Sequence, residues 1–248
     1  MSDLRVDGPA GAPVVVLSNA LGTSIELWDA QLPALRDYRV VRYEHPALDS
    51  VTALGSELLG ALDAVGIERF SFCGLSLGGM VGMELAADAP ERVERLVIVA
   101  TAARFGEPED WHAKAALVRE QGMKAVAEDA LDRWFTTGFA GREPFRAMQL
   151  ACAPDDYALG LEAIGDFDFR TRLADVKAPT LVVVGRHDSA TTPQDARGIA
   201  DGIDGTRLVT IEGAAHLPNV ERAAEFNREL VDHLPEPPGS GLSRRPRT

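Results

Sequence analysis

A serine between two glycines is the first feature of this sequence that could do covalent chemistry. Residues 73–80 read CGLSLGGM, and Ser76 forms a G-x-S-x-G pattern with Gly74 and Gly78. Where a strand precedes this pattern and a helix follows it, the turn exposes the serine hydroxyl at the edge of a sheet. The bare pattern also occurs in unrelated chains, so an ordinary glycine-rich turn is the competing interpretation.

A serine hydroxyl becomes a good nucleophile when a base takes its proton, so a histidine and an acid have to follow in suitable places. Asp188 comes shortly after the apolar run TLVVVG, and His216 follows the next run, in the segment EGAAHLPN. Functional groups collect at the carboxyl ends of parallel strands. We therefore predict Ser76 as the nucleophile, His216 as the general base and Asp188 as the acid that orients it.

An oxyanion formed during attack on a carbonyl needs hydrogen-bond donors. The backbone N–H of Leu77, the residue after the nucleophile at the start of a helix, is the first predicted donor. The segment SNALG, which follows the first strong strand, should supply the second. Ala20 is the preferred residue in that segment, and Asn19 is the alternative. We also expect Asn19 to contact the substrate.

Short runs rich in β-branched residues predict the elements that position these groups. The runs lie at 14–18, 39–43, 69–73, 95–100, 180–185 and 206–211. Most are continuously apolar, which is typical of parallel strands covered by helices on both faces. Helical patterns lie between them, and this alternation predicts an α/β fold with a mostly parallel, doubly wound sheet.

The strand pattern stops between residues 105 and 176, where only helices are predicted. One apolar helix face there consists of Met123, Val126, Ala127, Ala130, Leu131 and Trp134. We interpret 105–176 as a helical cap inserted into a core formed by 1–104 and 177–234, where it would shape a pocket. The segment 235–248 is rich in Pro, Gly, Ser and Arg, and we expect it to be a disordered tail.

Composition limits the possible partners. The chain has 248 residues, 46% of them hydrophobic, and a formal net charge of −13, which argues for one domain and against nucleic acid or anionic membranes as partners. Two cysteines, no signal-peptide pattern and no long apolar run predict a cytoplasmic protein. No residue spacing indicates a metal site or a cofactor, so we expect a small-molecule substrate only. The oligomeric state is not readable from the chain.

From Val14 to Leu234 the sequence resembles the α/β-hydrolase family, whose triad order is serine, acid, histidine. The segments LSNALGT, LWDAQLPAL, DRWFTTGF and GAAHLPNVE make it similar, within that family, to the 3-oxoadipate enol-lactonases of aromatic-compound degradation. The resemblance implies an α/β-hydrolase fold and a lactonase that opens its ring through a Ser76 acyl-enzyme. It also implies that Trp134 lines the pocket, although a packing role is equally compatible with its helical spacing.

One segment departs from the family pattern. After VVRY the family carries a glycine-rich loop of the Asp-x-Arg-Gly-x-Gly type, whereas this chain reads EHPALDSVTALGSELL. Glu44 and His45 either replace part of that loop or only cap the strand. Because the shortening lies beside the expected pocket, it should affect substrate access or specificity.

The enol-lactone implied by the resemblance carries a carboxylate, which needs a positive partner. Arg104 and Arg133 are the predicted partners, and a solvated surface role is the alternative for each. Three other functions stay open: hydrolysis of another small ester or lactone, cofactor-free cyclisation or perhydrolysis, and ligand binding without turnover.

Overall fold

Seven strands form one sheet in the computed structural model, which describes residues 4–238. The strands are β1 (Leu4–Asp7), β2 (Val14–Ser18), β3 (Arg39–Tyr43), β4 (Phe70–Leu75), β5 (Val93–Val99), β6 (Thr180–Gly185) and β7 (Arg207–Ile211). Their order in the sheet is β1-β3-β2-β4-β5-β6-β7, and only β1 pairs antiparallel. The predicted mostly parallel sheet is therefore confirmed. The sequence did not reveal β1, because this four-residue edge strand has no buried residue and so no apolar run.

Helices cover both faces of this sheet. They are α1 (Val51–Ala64), α2 (Leu77–Asp88), α3 (Pro108–Gln121), α4 (Ala127–Trp134), α5 (Glu143–Ala151), α6 (Pro154–Asp166), α7 (Pro193–Gly202), α8 (Pro218–Glu221) and α9 (Ala223–His233). Alternate residues of one strand enter different cores: Val16 packs in the cluster that contains residues of α1, α2 and α7, and Val15 packs in the cluster that contains residues of α9. Burial on both faces explains why the strands are continuously apolar.

The four helices α3 to α6 lie between β5 and β6, within the predicted cap. A small core of its own holds α3 against α6, through Ala115, Val118, Tyr157, Ala158 and Leu161. The predicted apolar face around Trp134 is buried as expected, but a short 3-10 helix at Met123–Ala125 precedes α4, so that face is divided between two elements.

The predicted disordered tail begins inside the folded part of the chain. The Tyr38 hydroxyl donates a hydrogen bond of 2.9 Å to the Pro235 carbonyl, and Pro237 is buried. The expectation of disorder is therefore wrong for residues 235–238, and residues 239–248 lie outside the described part. None of the helices between residues 4 and 238 combines the length and apolar character needed to cross a membrane.

The turn between β4 and α2 brings backbone segments very close together. A Cβ atom on Gly74 would lie 2.1 Å from the Gly78 carbonyl oxygen, and one on Gly78 would lie 2.3 Å from the Ser18 carbonyl oxygen. Both distances are far below van der Waals contact, so no side chain fits at either position. The two glycines of the G-x-S-x-G pattern are thus required by the packing of α2 against β2 and β4.

Replacing Gly78 by alanine should lower the free energy of unfolding by about 3 kcal/mol or more, because the backbone at Ser18 cannot yield as a flexible side chain would. Gly198→Ala is the matched control, since a Cβ at this helical position meets nothing within 4 Å. The control should be neutral or stabilising by up to about 1 kcal/mol. Chemical denaturation measures both, and equal stability of the two variants would contradict this packing argument.

Candidate active site

Ser76 lies in a strained backbone conformation at the start of α2. Its φ is 55° and its ψ is −114°, a region that residues with a side chain rarely adopt. The turn is held by hydrogen bonds on both sides: the Ser76 N–H donates to the Val99 carbonyl at 2.9 Å, and the Ser76 carbonyl accepts from Gly79 at 2.9 Å. This arrangement matches the nucleophile elbow expected from the sequence.

The structure brings together the predicted acid and base. Asp188 follows β6, His216 follows β7, and His216 Nδ1 lies 2.9 Å from Asp188 Oδ2. Both residues are buried. Since a carboxylate only accepts, Nδ1 carries the proton in this contact, and Nε2 is left as the unprotonated nitrogen that a general base requires.

Asp188 is itself held by its own loop. Its Oδ1 accepts from the backbone N–H groups of Ala190 and Thr191, both at 2.9 Å, and its Oδ2 accepts from the Thr191 hydroxyl at 2.9 Å. These bonds fix the carboxylate toward the imidazole. Sequence reasoning missed Thr191, although a threonine three residues after the predicted acid was a usable signal.

Ser76 and His216 line the same cavity, which we call the main cavity. Its volume is about 330 Å³, and residues of the cap, among them Trp134 and Tyr157, form much of its wall. Among the described residues, no hydrogen bond joins the Ser76 hydroxyl to His216. Such contacts are often long in free enzymes and shorten when substrate binds.

The predicted oxyanion donors Ala20 and Leu77 lie on a neighbouring cavity of about 170 Å³, here called the side cavity. Neither backbone N–H has a hydrogen-bond acceptor within residues 4–238. The Leu77 N–H belongs to the first turn of α2, where unpaired N–H groups favour negative charge. The two cavities share Leu21 and Tyr157 in their walls, so they adjoin beside Ser76.

Two cations lie on the cap wall of the main cavity. Arg133 was predicted from the sequence, and the structure adds Lys114. Both side chains approach one carboxylate, that of Asp129: Arg133 is hydrogen-bonded to it, and Lys114 Nζ lies 3.9 Å from it. Burial and the nearby Arg133 lower the pKa of Lys114. Trp134 also lines this cavity, as the resemblance implied.

Two other predicted substrate contacts, Asn19 and Arg104, lie outside both cavities. Asn19 is fully buried, where its amide donates to the Tyr43 carbonyl at 3.2 Å and its oxygen accepts from the Trp28 indole at 3.0 Å. Arg104 pairs with Glu107 and Asp168. Neither residue lines the main or the side cavity, so we assign both a structural role.

Glu44 and His45 do more than end a strand. Glu44 Oε1 accepts from the Ile25 backbone N–H at 2.9 Å, and His45 Nε2 lies 3.0 Å from the Asn19 carbonyl oxygen. The His45 side chain therefore contacts the predicted oxyanion segment itself, and the Glu44 side chain contacts the backbone just after it. Both also line the side cavity, at the place where the glycine-rich loop of the family pattern is missing.

Glu221 connects the His216 loop to the cap. One of its carboxylate oxygens accepts from the Ala215 N–H at 2.6 Å, and the other accepts from the Thr136 N–H and hydroxyl at 2.9 and 2.6 Å. Ala215 precedes the predicted base, and Thr136 lies just after α4. No sequence pattern predicted the contact between Glu221 and Thr136, because these two residues are 85 positions apart in the chain.

No described group of three or more His, Cys, Asp or Glu side chains in residues 4–238 is arranged to hold a metal ion.

The comparisons with known proteins agree with the fold and with the geometry of this site. The model of the alpha/beta hydrolase family matches residues 15–229. The chain is 35% identical to 3-oxoadipate enol-lactonase 2 of Acinetobacter baylyi, over 90% of this chain and 89% of that protein. It is 31% identical to the putative carbamate hydrolase RutD of Pseudomonas savastanoi, over 91% and 95% of the two chains. The crystal structure of the enol-lactonase from Burkholderia xenovorans superposes with a TM-score of 0.91 at 38% identity, covering 95% of this chain and 96% of that one.

Replacing Glu221 by glutamine should loosen the His216 loop. One carboxylate oxygen would become an NH₂ group, which cannot accept the hydrogen bonds that Thr136 or Ala215 donates at that position. We expect the free energy of unfolding to fall by about 1–3 kcal/mol and kcat for any Ser76-dependent substrate to fall roughly fivefold, with little change in KM. Glu225→Gln is the control, since no described hydrogen bond involves its side chain. Steady-state kinetics and denaturation check the pair, and an unaltered kcat would exclude a positioning role for Glu221.

Proposed function

The chain belongs to the alpha/beta hydrolase family, and from this premise we propose that it is a serine hydrolase that opens a small, carboxylate-bearing lactone. The leading candidate substrate is 3-oxoadipate enol-lactone. The lining of the main cavity carries this proposal, because Ser76 and His216 share it with the cations Lys114 and Arg133, although Glu107 and Asp110 line it as well. Relatives named as enol-lactonases give further support.

In the proposed acylation step, the Ser76 oxygen bonds to the lactone carbonyl carbon while His216 Nε2 takes the serine proton. Negative charge then develops on the carbonyl oxygen, where the N–H groups of Ala20 and Leu77 stabilise it. The ring C–O bond breaks, and the leaving enol oxygen takes the proton from His216. The enol tautomerises to a ketone, and the acyl chain stays on Ser76.

Deacylation reverses these roles. Water attacks the acyl carbon while His216 Nε2 takes a proton from it, and the bond to the serine oxygen then breaks with return of that proton to Ser76. The product is an open-chain oxo acid with one new carboxylate. Throughout both steps Asp188 stabilises the imidazolium and keeps Nδ1 protonated, which the contact of 2.9 Å supports.

Lys114 and Arg133 are the proposed partners of the substrate carboxylate. Arg133 has a side chain 34% exposed, and the Lys114 side chain is 22% exposed, so both cations are partly desolvated. Lys114 and Arg133 share one carboxylate, that of Asp129. Each cation therefore has further hydrogen-bond donors for a second anion. Glu107 and Asp110 also line this cavity, and Glu107 is paired with Arg104. In a net acidic protein, an anionic substrate would need direct contact with the two cations on this wall.

Mixing the purified protein with 3-oxoadipate enol-lactone should cause rapid loss of the lactone ultraviolet absorbance. In Ser76→Ala the rate should fall by about 10³-fold or more, as expected when a nucleophile is removed. Circular dichroism of the variant controls for folding, and a simple ester serves as a second substrate. If the lactone is not turned over but the ester is hydrolysed in a Ser76-dependent reaction, the protein is still a serine hydrolase. Its substrate is then a different compound, for example a carbamate or another ester. Full turnover in Ser76→Ala would end the proposal.

Arg133→Gln and Lys114→Met should each raise KM for the anionic lactone by roughly 10-fold or more, because a charge-assisted hydrogen bond is lost. Hydrolysis of a neutral ester should change little. Arg142→Gln is the control, since this cap arginine pairs with Asp132 and does not line the main cavity. Equal effects on the anionic and neutral substrates would show that neither cation binds the carboxylate.

A further inference from the structure

Two side chains separate the main cavity from the side cavity. Leu21, from the loop after β2, and Tyr157, from α6, line both cavities, and no other described residue does so. We call this pair the dividing wall. The main cavity has a volume of about 330 Å³ and the side cavity about 170 Å³, so removal of the wall would enlarge the space beside Ser76 by about half.

The Leu21 side chain fits against α6 because position 160 is a glycine. A Cβ atom on Gly160 would lie 2.4 Å from Leu21 Cδ1, so the leucine occupies the space that a larger residue would take. Leu21 also packs against the cap core that contains Tyr157 and Leu161. The loop after β2 is therefore in direct apolar contact with the cap at this point.

The backbone that carries Leu21 is held in a closed turn. The Thr23 N–H and hydroxyl both donate to the Ala20 carbonyl, at 3.2 and 2.8 Å. Gly22 in this turn has a φ of 80°, and a Cβ atom there would lie 2.8 Å from Tyr157 Cε2. The turn therefore packs directly on the other half of the dividing wall, which keeps Leu21 in place.

The positions of the predicted catalytic groups indicate which part of an ester meets the dividing wall. His216 lines the main cavity and has to protonate the leaving oxygen, so the leaving group lies in that cavity. The predicted oxyanion donors Ala20 and Leu77 line the side cavity. The carbonyl carbon lies between these groups, at the level of the wall. An acyl chain that extends away from the leaving group consequently meets Leu21 and Tyr157.

We propose that the dividing wall limits the length of the acyl group, which makes Leu21 and Tyr157 specificity-determining residues. In a ring lactone the acyl chain is folded back to the leaving oxygen, so the molecule stays within the main cavity. The wall therefore favours a compact lactone over an open-chain ester with a long acyl group. This inference rests on the proposed function, because the acyl group is the one transferred to Ser76.

The esters p-nitrophenyl acetate and p-nitrophenyl hexanoate differ only in the length of an uncharged acyl chain. The wild-type protein should prefer the acetate roughly tenfold in kcat/KM, because the wall excludes the longer chain. Leu21→Ala should raise the hexanoate-to-acetate ratio roughly tenfold, since the chain then reaches Leu48 and Leu54 in the side cavity. Tyr157→Leu, which shortens the other half of the wall, should change the ratio in the same direction.

Two control variants separate removal of the wall from general damage. Leu21→Met keeps the side-chain volume and should keep the wild-type ratio. Leu48→Ala widens the side cavity without altering the wall, and its ratio should also equal that of the wild type. A displaced oxyanion donor at Ala20 would slow both esters equally and leave the ratio unchanged. Leu21→Val, with a smaller loss of volume, provides the same test if Leu21→Ala does not fold.

Binding distinguishes failure of this inference from failure of the proposed function, because it does not need turnover. In the Ser76→Ala background, Leu21→Ala should lower the Kd of the p-nitroanilide of hexanoic acid roughly tenfold in calorimetry, and leave that of acetic acid unchanged. Turnover that persists in Ser76→Ala would refute the nucleophile, and the binding comparison would still decide the role of the wall. A wild type that accepts both esters equally, or an unchanged ratio in both Leu21→Ala and Tyr157→Leu, would overturn the inference.

Discussion

The backbone at Ser76 has to adopt a left-handed conformation that costs free energy, and the packing around it holds it there. Gly74 and Gly78 permit the close approach of α2 to β2 and β4 that fixes the turn. The same parallel sheet places the loops after β6 and β7 at this edge, so Asp188 and His216 meet there. A change that relaxed the turn would separate the hydroxyl from both partners at once.

The space beside Ser76 consists of two adjoining cavities with different linings. The cap supplies Lys114 and Arg133 to one side, while the shortened segment after β3 leaves Glu44 and His45 on the other. Glu221 ties the cap to the loop of the predicted base, which couples the shape of the main cavity to the position of His216. The hydrogen bonds of Glu221 therefore affect both the shape of the substrate cavity and the position of the predicted base.

Much of this arrangement was predictable because it follows from local pattern. Continuous apolar runs marked the inner strands, and the order of Ser76, Asp188 and His216 along the chain marked the sheet edge. Contacts between side chains distant in sequence were not predictable. Lys114 and Arg133 lie on different cap helices, and only the packing of these helices brings both side chains to the Asp129 carboxylate. Asn19 was predicted to contact substrate, but the buried Trp28 indole needs its oxygen as an acceptor.

The central claim is that Ser76 becomes covalently bonded during turnover, and mass spectrometry after treatment with a fluorophosphonate tests it most directly. The reagent should add one phosphonyl group, found on the peptide that contains Ser76, and none should be found in Ser76→Ala. Substrate present during labelling should slow the reaction. A protein that turns over substrate without ever forming an adduct at Ser76, or that is labelled elsewhere with loss of activity, would contradict this account.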